Sequence, residues 1–264
     1  MSTLRPEQVA ALRGLNRVCR DLEVDAVVIG ATALRVWLPD ERRLTEDVDV
    51  ALALDVGELA PLTARLGDLG WRQDARWEPR WHSPEGARVD LLPIGLSARQ
   101  NRRLLWPRAE TTMSAVGYDA VFKDAIVREL GPDLQMRVAP LHVLALLKVV
   151  AFLDDPAARL KDLEDLVLIL RRYAEDGDRR FGDDVIDADV QYAEAGAFLL
   201  GRDLHAVCTM PDEIEAIRQF FQWATDRGFD VPDDVVRHDW NDEEEDGRFA
   251  RWCRALARGF GVPT

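Results

Sequence analysis

The 264-residue sequence has few of the residues that staple or metallate small folds. Its three cysteines, Cys19, Cys208 and Cys253, lie far apart and form no CxxC pair, and its four histidines are scattered. That argues against a zinc site or a disulfide framework. Long apolar runs are also lacking. The longest, Leu141–Leu153, is interrupted by His142 and Lys148, so no membrane partner is expected. The opening MSTLRPEQVAALRGL has no signal-peptide apolar region and reads as a helix capped by Ser2 or Thr3, so a cytoplasmic protein is expected. No internal repeat or long low-complexity segment is visible. Positive charge is in deficit, with a formal net charge of -14, which argues against indiscriminate coating of nucleic acid.

What is present is a soluble globular composition, 47% hydrophobic and 31% charged, enough for one large domain or two modest ones. Much of the acid falls in two late segments, DDVIDAD at Asp183–Asp189 and DWNDEEED at Asp239–Asp246. The middle is more basic, with Arg99, Arg102, Arg103 and Arg108. That stretch suits a local polyanion site and a solvated face equally.

Periodicity divides the chain. Helical spacing covers 6–21, a strand 26–29 ends at Gly30, and a helix starts at Ala31 and stops at Pro39. A strand at 48–54, a helix at 56–69 and a strand at 88–92 follow, then two strands at 119–129 and 134–138 around Gly131-Pro132-Asp133. From Pro140 the pattern is helical: 141–153, 160–173, 190–200, 212–227 and 244–260, with 174–187 as an exposed linker. The expected fold class is α+β, a small mixed sheet with flanking helices in 1–139 followed by an all-helical region in 140–264.

The chemistry lies in VVIGATALRVW and TEDVDVAL. In a strand, Asp47 and Asp49 share one face while Val48 and Val50 face a core. Two ionised carboxylates that close repel unless a cation sits between them. Mg²⁺ is the natural occupant, held by one or two carboxylates and substrate phosphates. Asp90, in the strand-like RVDLLPI, is the candidate third carboxylate. Upstream, strand–Gly30–helix presents the backbone N–H groups of Gly30, Ala31 and Thr32 at a helix start, where phosphate binds. A phosphate cradle followed by a carboxylate pair fits phosphoryl or nucleotidyl transfer.

With IGATALRVW, RLTEDVDVAL and RVDLLP on the page, the sequence resembles the polymerase-β-like nucleotidyltransferase superfamily. The lead-in Arg43-Leu44-Thr45-Glu46 and the stretch LHVLALLKVVAFLDDPAARLKDLEDLVLIL narrow the resemblance to the AbiEii-type nucleotidyltransferases, toxins of toxin–antitoxin systems. It covers about residues 24–172. The superfamily usually has Gly-Gly or Gly-Ser where this chain has Gly30-Ala31-Thr32.

The resemblance implies an enzyme that moves NMP from an NTP to a hydroxyl acceptor, with two Mg²⁺ ions held by Asp47, Asp49 and Asp90. It implies that Asp90 helps activate the acceptor hydroxyl, that Lys148 is catalytic and touches the triphosphate, that Asp162 or Asp165 orients Lys148 or the nucleotide, and that Arg43 and Lys161 add to nucleotide binding. RNA such as tRNA, a protein or a small molecule remains open as acceptor, and a cognate antitoxin is an implied partner. The alternative is a degenerate fold of this type that binds nucleotide or a partner without turnover. Interleaved aromatics and arginines in WRQDARWEPRW, Trp71–Trp81, suggest base stacking, but packing of the aromatics on a core is the favoured reading.

Overall fold

The computed structural model describes residues 4–39, 45–226 and 248–262. The chain divides into two compact units, Met1–Pro140 and Leu141–Thr264.

The first unit contains a seven-stranded mixed sheet. Helix α1 (Pro6–Asp21) buries Val9, Leu12, Leu15 and Val18, spaced as one helical face. Its start is closed by Gln8, whose Oε1 accepts the Arg5 N–H at 3.1 Å; the proposed caps Ser2 and Thr3 lie outside the described residues. The fully buried strand β1 (Ala26–Ile29) runs directly into α2 (Gly30–Trp37). Then come β2 (Asp47–Leu52), α3 (Ala60–Asp68), β3 (Arg72–Gln73), β4 (Arg80–His82) and β5 (Arg88–Pro93). A short helix α4 (Leu96–Asn101) and a separate hairpin, β6 (Arg103–Trp106) with β7 (Thr111–Ser114), precede α5 (Tyr118–Asp124), β8 (Ile126–Gly131) and β9 (Leu134–Val138). The sheet order is β3-β4-β5-β2-β1-β9-β8. The pairs β1–β9 and β2–β5 are parallel and the others antiparallel.

The second unit is helical among its described residues: α6 (Leu141–Asp154), α7 (Leu160–Arg172), α8 (Asp183–Asp187), α9 (Tyr192–Val207), α10 (Pro211–Asp226) and α11 (Arg248–Phe260). Phe152 meets Trp223 and Phe220 edge-on, with ring centroids 4.6 and 6.3 Å apart. Helices α9 and α11 approach closely. A Cβ at Gly201 would lie 2.2 Å from Leu256 O, and one at Gly259 would lie 2.0 Å from Phe198 O. Only glycine lets these two backbones touch.

The architecture is the expected α+β class, a mixed sheet with flanking helices followed by helices. Two local expectations are corrected. The stretch 119–129 is not one strand: Gly117, at φ 85°, starts helix α5, and extended backbone at Ala125 ends it before β8. The segment 174–187 is not a bare linker. It holds a 3₁₀ turn at Arg179–Phe181 and helix α8, with Arg180 buried and donating to the Tyr173 and Arg171 carbonyls at the end of α7. In the basic stretch 99–108, Arg99 lies in α4, Arg103 opens β6, Arg102 and Arg108 lie outside both, and Arg99 and Arg102 pair with Asp119. The three free cysteines are buried, and no described helix is long and apolar enough to cross a membrane.

Candidate active site

Alternation in β2 does what the sequence pattern requires. Val48 and Val50 are fully buried, while Asp47 and Asp49 sit on the other, partly open face. Register then supplies their neighbours. Asp49 pairs with Asp90 of β5, and Asp90 with Arg80 of β4; Asp47 pairs with Arg88, and Arg88 with His82. Directly paired residues share a face. Two rows therefore cross three strands, Arg80–Asp90–Asp49 and His82–Arg88–Asp47.

On the far side of β2, Asp49 pairs with Ile29, the last residue of β1. The chain enters α2 there through Gly30, at φ +64°. A Cβ at Gly30 would lie 2.1 Å from Asp49 Oδ2, so the Asp49 carboxylate rests on bare glycine backbone at the start of a helix. The other expected cradle residues follow in the first turn. Ala31 is partly exposed, and Thr32 is buried with its hydroxyl donated to the Asp47 carbonyl at 3.2 Å. Thr32 thus ties helix to strand. From the other direction, the buried Gln8 Nε2 donates to Thr45 O at 3.2 Å, and Thr45 Oγ1 donates to Asp47 O at 2.9 Å. The entry to β2 is fixed from both sides.

Arginine dominates the electrostatics. Arg80 donates Nε to Asp90 Oδ1 at 2.9 Å and Nη2 to Asp90 Oδ2 at 3.0 Å, a two-pronged grip, and Nη2 also reaches Asp47 Oδ2 at 2.7 Å. Arg88 pairs with Glu46 and brings Nε to 2.6 Å from Asp47 Oδ1. That contact has the distance of an ion pair but not the angle of a hydrogen bond, and this buried oxygen has no hydrogen-bond donor. The hydrogen bond to Asp90 raises the Arg80 pKa further above its ordinary value. Asp90 is buried, with its side chain 12% exposed.

One strand further out, His82 Nε2 lies 3.0 Å from Asp74 Oδ2, and Asp74 Oδ1 accepts the backbone N–H groups of Arg76 and Trp77. The His82 hydrogen bond is the main cause that holds the Asp74 carboxyl well below the usual carboxylate range, with the two backbone donors adding to it. The tryptophans of this hairpin divide: Trp71 and Trp81 are buried in the core, as packing predicts, and Trp77 is exposed.

The donor set suits a hard divalent cation in kind. It is all carboxylate oxygen, it includes a buried Asp47 oxygen that takes no hydrogen bond, and it borders a backbone cradle that a Cβ would fill. Yet no group of three or more His, Cys, Asp or Glu among the described residues is placed so as to hold a metal ion. The Arg80 guanidinium takes both Asp90 oxygens and one of Asp47.

The remaining expected residues fall elsewhere. Arg43 lies outside the described residues. Lys148, on α6 of the second unit, is buried; its Nζ donates to Asp162 Oδ1 at 3.0 Å and pairs with the buried Asp165, both on α7. Lys161 is exposed on the same helix. Lys148, Asp162 and Asp165 therefore form one buried cluster, and Lys161 is not part of it. Sequence reasoning missed Arg88 and Gln8, whose only signal was a charged or polar residue in an otherwise apolar strand or helix, and it gave Glu46 and Arg80 only as members of motifs, the lead-in to β2 and the interleaved WRQDARWEPRW.

The sequence matches no protein-family model and no curated protein. Among solved structures, the chain is similar to a nucleotidyltransferase-like protein from Paracoccidioides brasiliensis, at 16% identity and TM-score 0.44, covering 63% of this chain and 77% of that one. It is similar to the lincosamide antibiotic adenylyltransferase LnuA at 15% identity and TM-score 0.38, covering 63% and 98%. A CCA-adding enzyme is similar at 14% identity and TM-score 0.31, covering 99% and 68%.

Proposed function

We propose that this protein is a nucleotidyltransferase of the polymerase-β-like type, moving NMP from an NTP to a hydroxyl acceptor with Mg²⁺. The observation that carries the reading is the meeting of Gly30 with Asp49. The helix start that would receive phosphate and the carboxylate row that would hold a cation occupy one place, and Asp90 is Asp49's cross-strand partner.

In this reading Asp47 and Asp49 hold the cation together with the nucleotide phosphates, and Asp90 completes a second position. When bound, the cation supplies neutralisation of the charge on the transferring phosphoryl group. The chain's own residues do the positioning. The backbone N–H groups of Gly30 and Ala31 receive phosphate oxygens. The Thr32 hydroxyl and Gln8 keep β2 in register with that cradle. An Asp90 oxygen accepts the hydrogen bond of the attacking hydroxyl and aligns it. Arg43 is a further proposed nucleotide contact, and the roles expected of Lys148, Lys161, Asp162 and Asp165 belong to the second unit, where Lys148 pairs with Asp162 and Asp165. The AbiEii-type resemblance supports a toxin with a cognate antitoxin, with tRNA or other RNA among its acceptors.

A second reading, a nucleotide- or partner-binding protein without turnover, is favoured by one observation: Arg80 already occupies Asp47 and Asp90. One experiment separates the two. The purified protein is incubated with each α-³²P-labelled NTP and Mg²⁺, with and without total RNA, beside Asp49→Ala and Gly30→Ala. Label on RNA or protein from the native chain, lost in both variants, is expected. Tight Mg²⁺-dependent NTP binding with no label under any condition selects the second reading. Absence of NTP binding removes both.

A further inference from the structure

The second unit carries a surface that the proposed chemistry does not use. Phe181 and Tyr192 stack in the open, with ring centroids 5.2 Å apart and planes 25° apart. They are 62% and 54% exposed, and Ile186, on α8 between them in sequence, is 65% exposed. Single exposed apolar side chains are ordinary. Three large ones on one short stretch, two of them stacked, mark a contact surface.

The platform is fixed from beneath. Arg180 is buried; its Nε and Nη2 donate to Tyr173 O at 3.0 and 2.8 Å, and Nη2 donates to Arg171 O at 2.8 Å. The same guanidinium lies 5.6 Å from the centroid of the Tyr192 ring. Gly196 makes room for it, since a Cβ there would lie 2.7 Å from Arg180 Nη2. A buried cation therefore anchors the backbone next to Phe181 and lies against Tyr192, so the rings have little freedom left to lose on binding.

Charge decides what the surface takes. From Glu175 to Glu194 there are eight acidic side chains against two arginines. Both arginines are engaged, Arg180 with the carbonyls and Arg179 with the two oxygens of Asp203 at 2.8 and 3.0 Å. Asp183, Asp187 and Asp189 are exposed and take part in no ion pair among the described residues. A nucleic acid or an anionic membrane meets like charge here, and so do the acid-rich stretch 239–246 of the same chain and a second copy docking patch to patch. A cationic partner meets opposite charge and adds a cation–π contact on the rings.

We propose that Phe181, Ile186 and Tyr192 form a docking surface for a segment of another protein in which apolar side chains are interleaved with lysine and arginine. The apolar side chains cover the rings and Ile186, and the cations meet Asp183, Asp187 and Asp189. The inference stands apart from the nucleotidyltransferase reading, and neither falls with the other.

The probe is a fluorescein-labelled peptide of about 14 residues, leucine and lysine spaced to place the leucines on one helical face. Binding is read by fluorescence anisotropy at about 0.15 M salt. Two control peptides carry glutamate for lysine or serine for leucine. Native protein is compared with Phe181→Ser/Tyr192→Ser, with Asp183→Asn/Asp187→Asn/Asp189→Asn, and with Asp68→Asn/Glu85→Gln/Glu110→Gln. The last removes the same charge from exposed positions of the first unit. Both patch variants should bind the peptide about 10-fold more weakly, and the first-unit variant within about 2-fold of native. Neither control peptide should bind measurably. If the double ring variant melts below assay temperature, Phe181→Ser alone decides, with an expected loss of about 5-fold.

A first-unit variant that loses as much as the aspartate variant, or a ring variant that binds like native protein, overturns the inference. So does sedimentation showing that native protein self-associates and the ring variant does not, which would assign the surface to a second copy.

Discussion

Asp74 shows how one side chain can organise a loop. Its carboxylate accepts from His82 and from the backbone N–H groups of Arg76 and Trp77, so the tip between β3 and β4 closes around it. The pKa is depressed chiefly by the His82 hydrogen bond, which fixes the sign of its pH dependence. A carboxyl with a lowered folded pKa stabilises the fold fully above its unfolded value of about 3.9. That contribution is lost as pH falls through the folded value. The urea midpoint of native protein should therefore exceed that of Asp74→Asn at about pH 5, and the margin should close as pH falls below about 4. A margin that does not change with pH would deny the carboxylate this role.

The same scale shows what could be read from residues alone. Asp47 and Asp49 were legible because a period of two assigns faces within a strand, whatever the strand pairs with. Gly30 was legible as punctuation between strand and helix, but not the reason it must be glycine, which is a carboxylate 19 residues later in the chain pressed against it. Arg80 and Arg88 were not legible. Their importance depends on the register of β4, β5 and β2, and register is a property of paired strands.

Among elements, α9 and α11 make the most demanding contact. Gly201 and Gly259 let two helix backbones approach where a methyl group would meet a carbonyl oxygen at about 2 Å. Neither glycine has a positive φ, so conformational freedom does not explain them and close approach does. Gly259→Ala should push the helices apart and cost about 1–3 kcal/mol, the usual range for overpacking. Gly14→Ala, in α1, where an added Cβ meets nothing within 4 Å, should be neutral or stabilising by about 0.5–1 kcal/mol. Chemical denaturation of both variants measures the contrast, and equal effects would mean that α9 and α11 yield freely.

Helices with strong periodicity, such as α1 and α7, could be read from sequence because their apolar stripes are local. Residues 119–129 misled because Val121, Phe122, Ile126 and Val127 suit a strand throughout. What makes α5 and then β8 is a left-handed Gly117 and a change of backbone at Ala125, and neither has a compositional signature. The hairpin β6–β7 went unread because its strands alternate weakly and half its residues are exposed.

For the whole molecule, charge is the property that reaches furthest. The chain carries a net -14. At the carboxylate row, Glu46, Asp47 and Asp90 pair with Arg80 and Arg88, which offsets that charge locally but not over the surface as a whole. A bare triphosphate approaching this surface is repelled at long range, before any contact forms. Many enzymes draw an oppositely charged substrate inward, and added salt slows them. Here the dependence should be inverted. Raising ionic strength from about 0.01 to 0.1 M shortens the screening length from about 30 to 10 Å and should quicken the encounter with a fluorescent triphosphate analogue in stopped flow. A rate that falls with salt would locate the entry on another face. On the proposed function, the excess of acid would act as a filter on the traffic of ligands, turning away polyphosphate that arrives without its counter-ions and admitting it once they have cancelled its charge.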